Sequence, residues 1–138
     1  MSIADALTVD RWLFATLTGD AALRVLVDER WYVDIAPQTA VYPLGILIPP
    51  PQDQTVRPAG PGIVMHIGRW ALKVVGPDTF EALEPIVKRV HELLHGASGV
   101  VSSGTVIGAV VDGRIRYTET VEGQIYRHLG LLVTVYSQ

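Results

Sequence analysis

Apolar residues recur at helical spacing from the start of the chain. Val9, Leu13 and Leu17 lie on one side of a helix predicted over Thr8 to Leu17, with Thr8 placed to cap it and Asp10 suited to its first turn. Trp12 and Phe14 broaden that apolar surface, and Gly19 ends the segment. Asp20 then caps a second short helix, Ala21 to Val27, closed by the polar run Asp28-Glu29-Arg30. The two pieces read as one bent N-terminal element.

The periodicity then changes. Trp31 to Ile35 is a strand candidate that Pro37 stops, and Leu44 to Ile48 is a second, entered through the extended Tyr42-Pro43 pair. Pro49 to Gly62 carries prolines at 49, 50, 51, 58 and 61 and reads as a loop, because proline has no donor to continue a ladder. Ile63 to Val75 is a long strand whose apolar parity shifts: Ile63, Met65 and Ile67 take odd positions, then Trp70, Leu72 and Val74 take even ones. A bulge near Gly68 would produce that shift.

Asp78 is positioned to cap the main helix, Thr79 to His95, whose stripe is Phe80, Leu83, Val87, Val90 and Leu94. Pro85 must either kink this helix or mark its true first turn. Gly96 suits the C-terminal cap, and Ala97 to Gly104 reads as a polar linker. Thr105 to Val121 and Gln124 to Tyr136 form a hairpin turning at Glu122-Gly123. Asp112-Gly113 could split the first segment, but one long strand bulged there is preferred. In the last strand Ile125, Leu129, Leu131, Val133 and Val135 share one face, and Tyr126, His128, Leu132, Thr134 and Tyr136 the other.

This order predicts one α+β domain over residues 1–138: an antiparallel or mixed sheet of about four to five strands, with the bent helix pair and one main helix packed on one face. There is no internal repeat. The length of 138 residues suits one domain that needs no metal or disulfide staple. Hydrophobic residues at 49% and charged residues at 18% argue against disorder. The absence of cysteine removes disulfide scaffolds, thiolate zinc sites and cysteine nucleophiles. With net charge −3 and no basic cluster, the chain lacks the footprint of a tight nucleic-acid binder. Neither a signal peptide nor a membrane-length apolar run is visible, so a soluble protein used without export is expected.

One segment spells out chemistry. His91-Glu92-Leu93-Leu94-His95 matches H-E-x-x-H on a predicted helix, the pattern of a zinc peptidase in which two histidines bind metal and the glutamate is general base. Three points oppose it. Gly96 to Val100 supply no third ligand, and nothing singles out Glu119 or Glu122 for that role. The apolar stripe leaves His91 and His95 on its flank and Glu92 further toward solvent. Only a short strand-rich segment follows, too little for a second lobe. His91 and His95 are then expected at the surface, with His95 favouring the helix C-terminus.

Other candidates are weaker. His66 and His128 sit in strands, where a lone histidine is usually a packed or edge residue. Gly60-Pro61-Gly62 lacks the Lys and Ser/Thr of a phosphate loop, and no serine lies in a G-x-S-x-G elbow. Trp12, Trp31 and Trp70 are expected as core or interface aromatics. No catalytic residue, metal or cofactor is assigned.

Taken whole, the chain resembles the tail-terminator and tail-completion proteins of long-tailed phages and gene-transfer particles. Leu13 to Leu26 looks like the family's opening helix, break and short helix; Arg30 to Pro37 with Tyr42-Pro43 resembles its first strand and A-P-Q…Y-P segment. The long strand ending at Val75, the helix closing with Leu94-His95-Gly96, and the hairpin Tyr117 to Val135 also fit. The resemblance implies a structural virion protein, assembled in the host cytoplasm, that forms a ring, commonly a hexamer. That ring would cap the tail tube and join it to the head connector or stopper, at the head-proximal end. DNA would pass through without specific binding, which a chain lacking basic patches suits. Another neck component, a stopper or adaptor, is the alternative, and a zinc peptidase the remote one. Interface residues are expected in the Pro-rich loop (Asp53, Arg57) and on the Tyr126, His128 and Tyr136 strand face.

Overall fold

The computed structural model describes residues 7–56 and 65–138. Its elements in chain order are α1 (Thr8–Thr18), α2 (Ala21–Val27), β1 (Trp31–Val33), β2 (Leu44–Ile48), β3 (Gln54–Val56), β4 (Met65–Gly76), α3 (Phe80–Leu94), β5 (Gly99–Val101), β6 (Gly104–Val121) and β7 (Gln124–Ser137). The strands form one seven-stranded sheet in the order β1-β2-β4-β7-β6-β5, with β3 also paired to β4. Only β1 and β2 run parallel; every other pairing is antiparallel. The α+β expectation holds, but with more strands than the four or five anticipated. The additions are three-residue strands. β3 lies inside the Pro-rich segment, and β5 lies inside what reads as a linker. Neither is long enough to show a period. No described helix is long and apolar enough to cross a membrane.

All three helices lie on one face of the sheet. Between the layers pack Leu13, Leu17, Leu23 and Val27 from α1 and α2, Leu83, Ile86, Val90 and Leu94 from α3, and Trp70, Leu72, Val74, Leu131, Val133 and Val135 from the central strands. The buried stripe of α3 includes Ile86, which lies outside the stripe expected from spacing, while Phe80 at the end of the helix is only half-buried. Pro85 is interior to α3 and not in its first turn. It leaves the Glu81 carbonyl without a helical donor, on the exposed side where water can supply one.

Two caps differ from expectation. Thr79, and not Asp78, caps α3, its hydroxyl accepting from the Ala82 N–H at 3.3 Å. Thr8 does not cap α1; its buried hydroxyl donates to the Ser103 carbonyl at 3.1 Å and ties the helix start to the β5–β6 turn. Asp20 does cap α2, accepting from the Leu23 N–H at 3.0 Å, and the same carboxylate receives Arg89 of α3 at 2.8 Å. That pair fastens the bent helix element to the main helix, and it holds the Asp20 carboxyl below its usual range.

No bulge occurs at Gly68. β4 pairs with β7 in unbroken register from His66↔Ser137 to Gly76↔Arg127. The parity shift arises because Met65 and Ile67 are half-buried on the outer face of the sheet, whereas Trp70, Leu72 and Val74 face the helices. Gly68 is needed for a different reason: the Trp70 indole lies over it, where a Cβ would collide with the ring. The same pairing recurs twice, with Trp31 lying over Gly45 and Trp12 over Gly99. The register breaks fall in β6, between Val106 and Gly108 and between Val111 and Gly113. The second bears out the preferred reading of Asp112-Gly113 as a bulge in one continuous strand.

Candidate interaction surface

β6 and β7 outrun the rest of the sheet. The last rung joining β7 to β4 is Gly76↔Arg127, yet β6 and β7 pair onward to Val121↔Gln124. Glu122 and Gly123 turn the chain with φ of 51° and 80°, the left-handed pair that a tight hairpin requires. From Arg116 to Ile125 every residue is exposed. The result is a two-stranded ribbon projecting from the body. Such ribbons are marginal alone, so its root matters.

The root is built on the outer face, opposite the helices. Tyr117 and His128 occupy one rung and stack at 4.3 Å between ring centres. The Lys73 ammonium donates to the Tyr117 hydroxyl at 2.6 Å. Glu119, one rung pair further out, brings its carboxylate to 3.5 Å from His128 Nε2, and Tyr126 packs against Tyr42 at 5.0 Å. His128 is only 5% exposed, and neither ring nitrogen makes a hydrogen bond. Burial pushes its pKa down, Lys73 adds to that, and Glu119 opposes both. On the helix-side face, the Phe80 ring has the Arg116 and Arg127 guanidinium carbons each at 5.8 Å.

Below the ribbon, the bulge is locked. Asp112 accepts from Thr134 Oγ1 at 2.7 Å and from Arg69 Nε at 3.2 Å. The Thr134 hydrogen bond, with Arg69 beside it, holds the Asp112 carboxyl below its usual range.

The H-E-x-x-H residues lie elsewhere and do not converge. His91, Glu92 and His95 are all exposed. Glu92 pairs with Arg89 at 3.3 Å. The two imidazoles stack face to face at 5.2 Å, an arrangement that does not aim two nitrogens at one metal. His95 Nδ1 accepts the Val111 backbone N–H at 3.1 Å, and the Gly96 N–H donates to the Ala109 carbonyl at 2.8 Å. The end of α3 therefore occupies the outer edge of β6 where β5 has stopped. Among the described residues no group of three or more His, Asp or Glu is placed to hold a metal.

Of the anticipated interface residues, Asp53 is exposed just before β3, and Arg57 lies outside the described residues. Tyr126 and His128 belong to the ribbon root. Tyr136 shares their face but sits ten positions along β7, about 33 Å from Tyr126 at strand rise. Tyr42, Lys73, Phe80, Tyr117 and Glu119 were not anticipated. Tyr117 and Glu119 could have been, since counting back from a two-residue turn at Glu122-Gly123 sets them opposite His128 and Tyr126. Tyr42 and Lys73 arrive through tertiary pairing that no local spacing reports.

Comparison with known proteins agrees with this architecture. A chain from the virion of a native gene transfer agent (GTA) particle has the same fold, with a TM-score of 0.73 at 18% identity, covering 99% of this chain and 100% of that one. No curated protein matches. The profile of the tail completion protein gp17 family matches residues 11–129. With most of its length matched, the chain belongs to the tail completion protein gp17 family and is a structural protein of the bacteriophage tail.

Proposed function

We propose that this protein completes the tail as a ring-forming terminator. In this reading several copies, six by the family resemblance, cap the tube at its head-proximal end and join it to the head connector or stopper, and DNA passes through without sequence recognition. The observation that carries the proposal is the ribbon. Arg116 to Ile125 contribute nothing to their own subunit's core, yet Tyr117, Val121 and Ile125 are each more than 40% exposed on it. An element that a single copy cannot bury suits contact with neighbours. Closed rings need head-to-tail surfaces of that kind.

Electron microscopy of tails assembled with and without the protein tests this. Rings at the head-proximal end, and tails of uncontrolled length in the protein's absence, are expected. Tails of normal length and completeness without it would sink the terminator role. A position one layer further toward the head in a virion reconstruction would identify a stopper or adaptor instead.

A further inference from the structure

The sheet leaves two edges open at the same height. The rung Val33–Leu47–Leu72–Leu131–Arg114 crosses five strands, and its ends are β1 and β6. The neighbouring rung, Trp31–Gly45–Val74–Leu129–Arg116, does the same. At this height β6 has passed beyond β5 and beyond the contacts with His95 and Gly96, so no described strand pairs with its outer edge. β1 is the opposite margin of the sheet.

The two edges differ in charge. Residues 28–34, which contain β1, hold Asp28, Glu29 and Asp34 against one arginine, Arg30. Residues 113–117 of β6 hold Arg114 and Arg116 and no acid. Asp34, Arg114 and Arg116 are exposed, and no ion pair joins any of them to another described residue, while Glu29 shares a solvent-exposed pair with Arg24 at 3.3 Å. Apolar surface accompanies the acidic edge: Val33 is 45% and Ile35 81% exposed.

We propose that the β6 edge over Gly113–Tyr117 docks on the β1 edge of a second copy of this chain, Arg114 and Arg116 meeting its Asp34 and Glu29. This rests on the ring reading and names the contact that builds the ring. β6 and β1 run in opposite directions within one sheet, because three antiparallel pairings and one parallel pairing separate them. Copies related by rotation about an axis along the strands therefore meet antiparallel, head to tail. The Val33 carbonyl already accepts from the Ile35 N–H at 2.8 Å, so side chains and the charge pairs carry this contact more than a full backbone ladder.

The absence of cysteine makes the test direct. Asp34→Cys is combined with Arg114→Cys, and separately with Arg116→Cys, in purified protein and in tails assembled with it. Within one chain the two edges stand four strand spacings apart, about 19 Å, so any disulfide joins copies. A ladder of covalent multimers in the double variants, absent from each single variant, is expected. Arg114→Glu with Arg116→Glu should weaken assembly about tenfold or more, and adding Asp34→Arg with Glu29→Arg should restore it. Rings visible by electron microscopy without the ladder, and indifferent to charge reversal, overturn edge docking and leave the ring reading intact. Failure to assemble under either condition overturns both. Cross-links to a different tail protein in place of a second copy also overturn it.

Discussion

At Asp20 one carboxylate does two jobs, capping α2 and receiving Arg89 from α3. Asp20→Ala is expected to cost about 1 kcal/mol or somewhat more, measured by urea unfolding at pH 7. The carboxyl is held below its usual range, so its contribution is full above about pH 4 and is lost as pH falls through the lowered value. The difference between wild type and variant should shrink in acid. His95 makes a second residue-scale case. It accepts the Val111 N–H on the β6 edge, so in urea unfolding His95→Ala should lose about 0.5–1.5 kcal/mol and His91→Ala less. Metal analysis of protein purified without chelator should find no stoichiometric zinc; zinc removed by His91→Ala would revive the peptidase reading.

His128 gives a residue with the opposite dependence on environment. It is buried, stacked on Tyr117 and faced by Lys73 and Glu119, and its pKa is depressed. As pH falls below about 6.5 the unfolded chain takes up the proton first, so stability present at higher pH is lost across that window. The melting temperature of wild type should therefore drop more between pH 7.5 and 5.5 than that of His128→Phe, which keeps the stack. Equal drops would mean the imidazole opens to solvent at no cost.

At the scale of elements, legibility followed periodicity. Both N-terminal helices, the main helix and the terminal hairpin announce themselves through spacing and through residues such as Asp20 and Glu122-Gly123. What local pattern could not separate was the cause of a parity shift. At Gly68 a residue change between two half-covered faces mimicked a bulge, while the true bulge at Asp112 is fixed by Arg69 and Thr134, distant in sequence. Glycines show the same limit. Gly130 and Gly108 both lie in strand pairings and look alike in sequence, but a Cβ at Gly130 would fall 2.6 Å from Lys73 Cα and against the Leu72 carbonyl, whereas at Gly108 it meets nothing within 4 Å. Gly130→Ala should cost about 3 kcal/mol, at the upper end of overpacking. Gly108→Ala should stay within about 0.5 kcal/mol, both by chemical denaturation.

For the whole molecule, the fold class and the single helical layer could be read from element order, and the ribbon could not. Its length depends on where β4 stops pairing with β7, a tertiary fact. Replacing Thr120–Ile125 by a two-residue turn that closes on the Glu119↔Tyr126 rung should leave the melting temperature within a few degrees, since these residues are exposed, while assembly onto tails is lost. A shortened protein that still terminates tails would show the ribbon to be dispensable.

The three tryptophans each lie over a glycine on the helix side of the sheet, at 6% exposure or less; Trp12 and Trp70 are away from the ribbon and both open edges, and Trp31, though in the β1 edge strand, keeps its ring in the core. Their emission should therefore be blind to association. It should stay blue and constant as copies assemble, and shift red only when the helical layer parts from the sheet. Fluorescence and light scattering from one cuvette would then report two different events. A variant that scatters less at unchanged emission has lost its neighbours and kept its core.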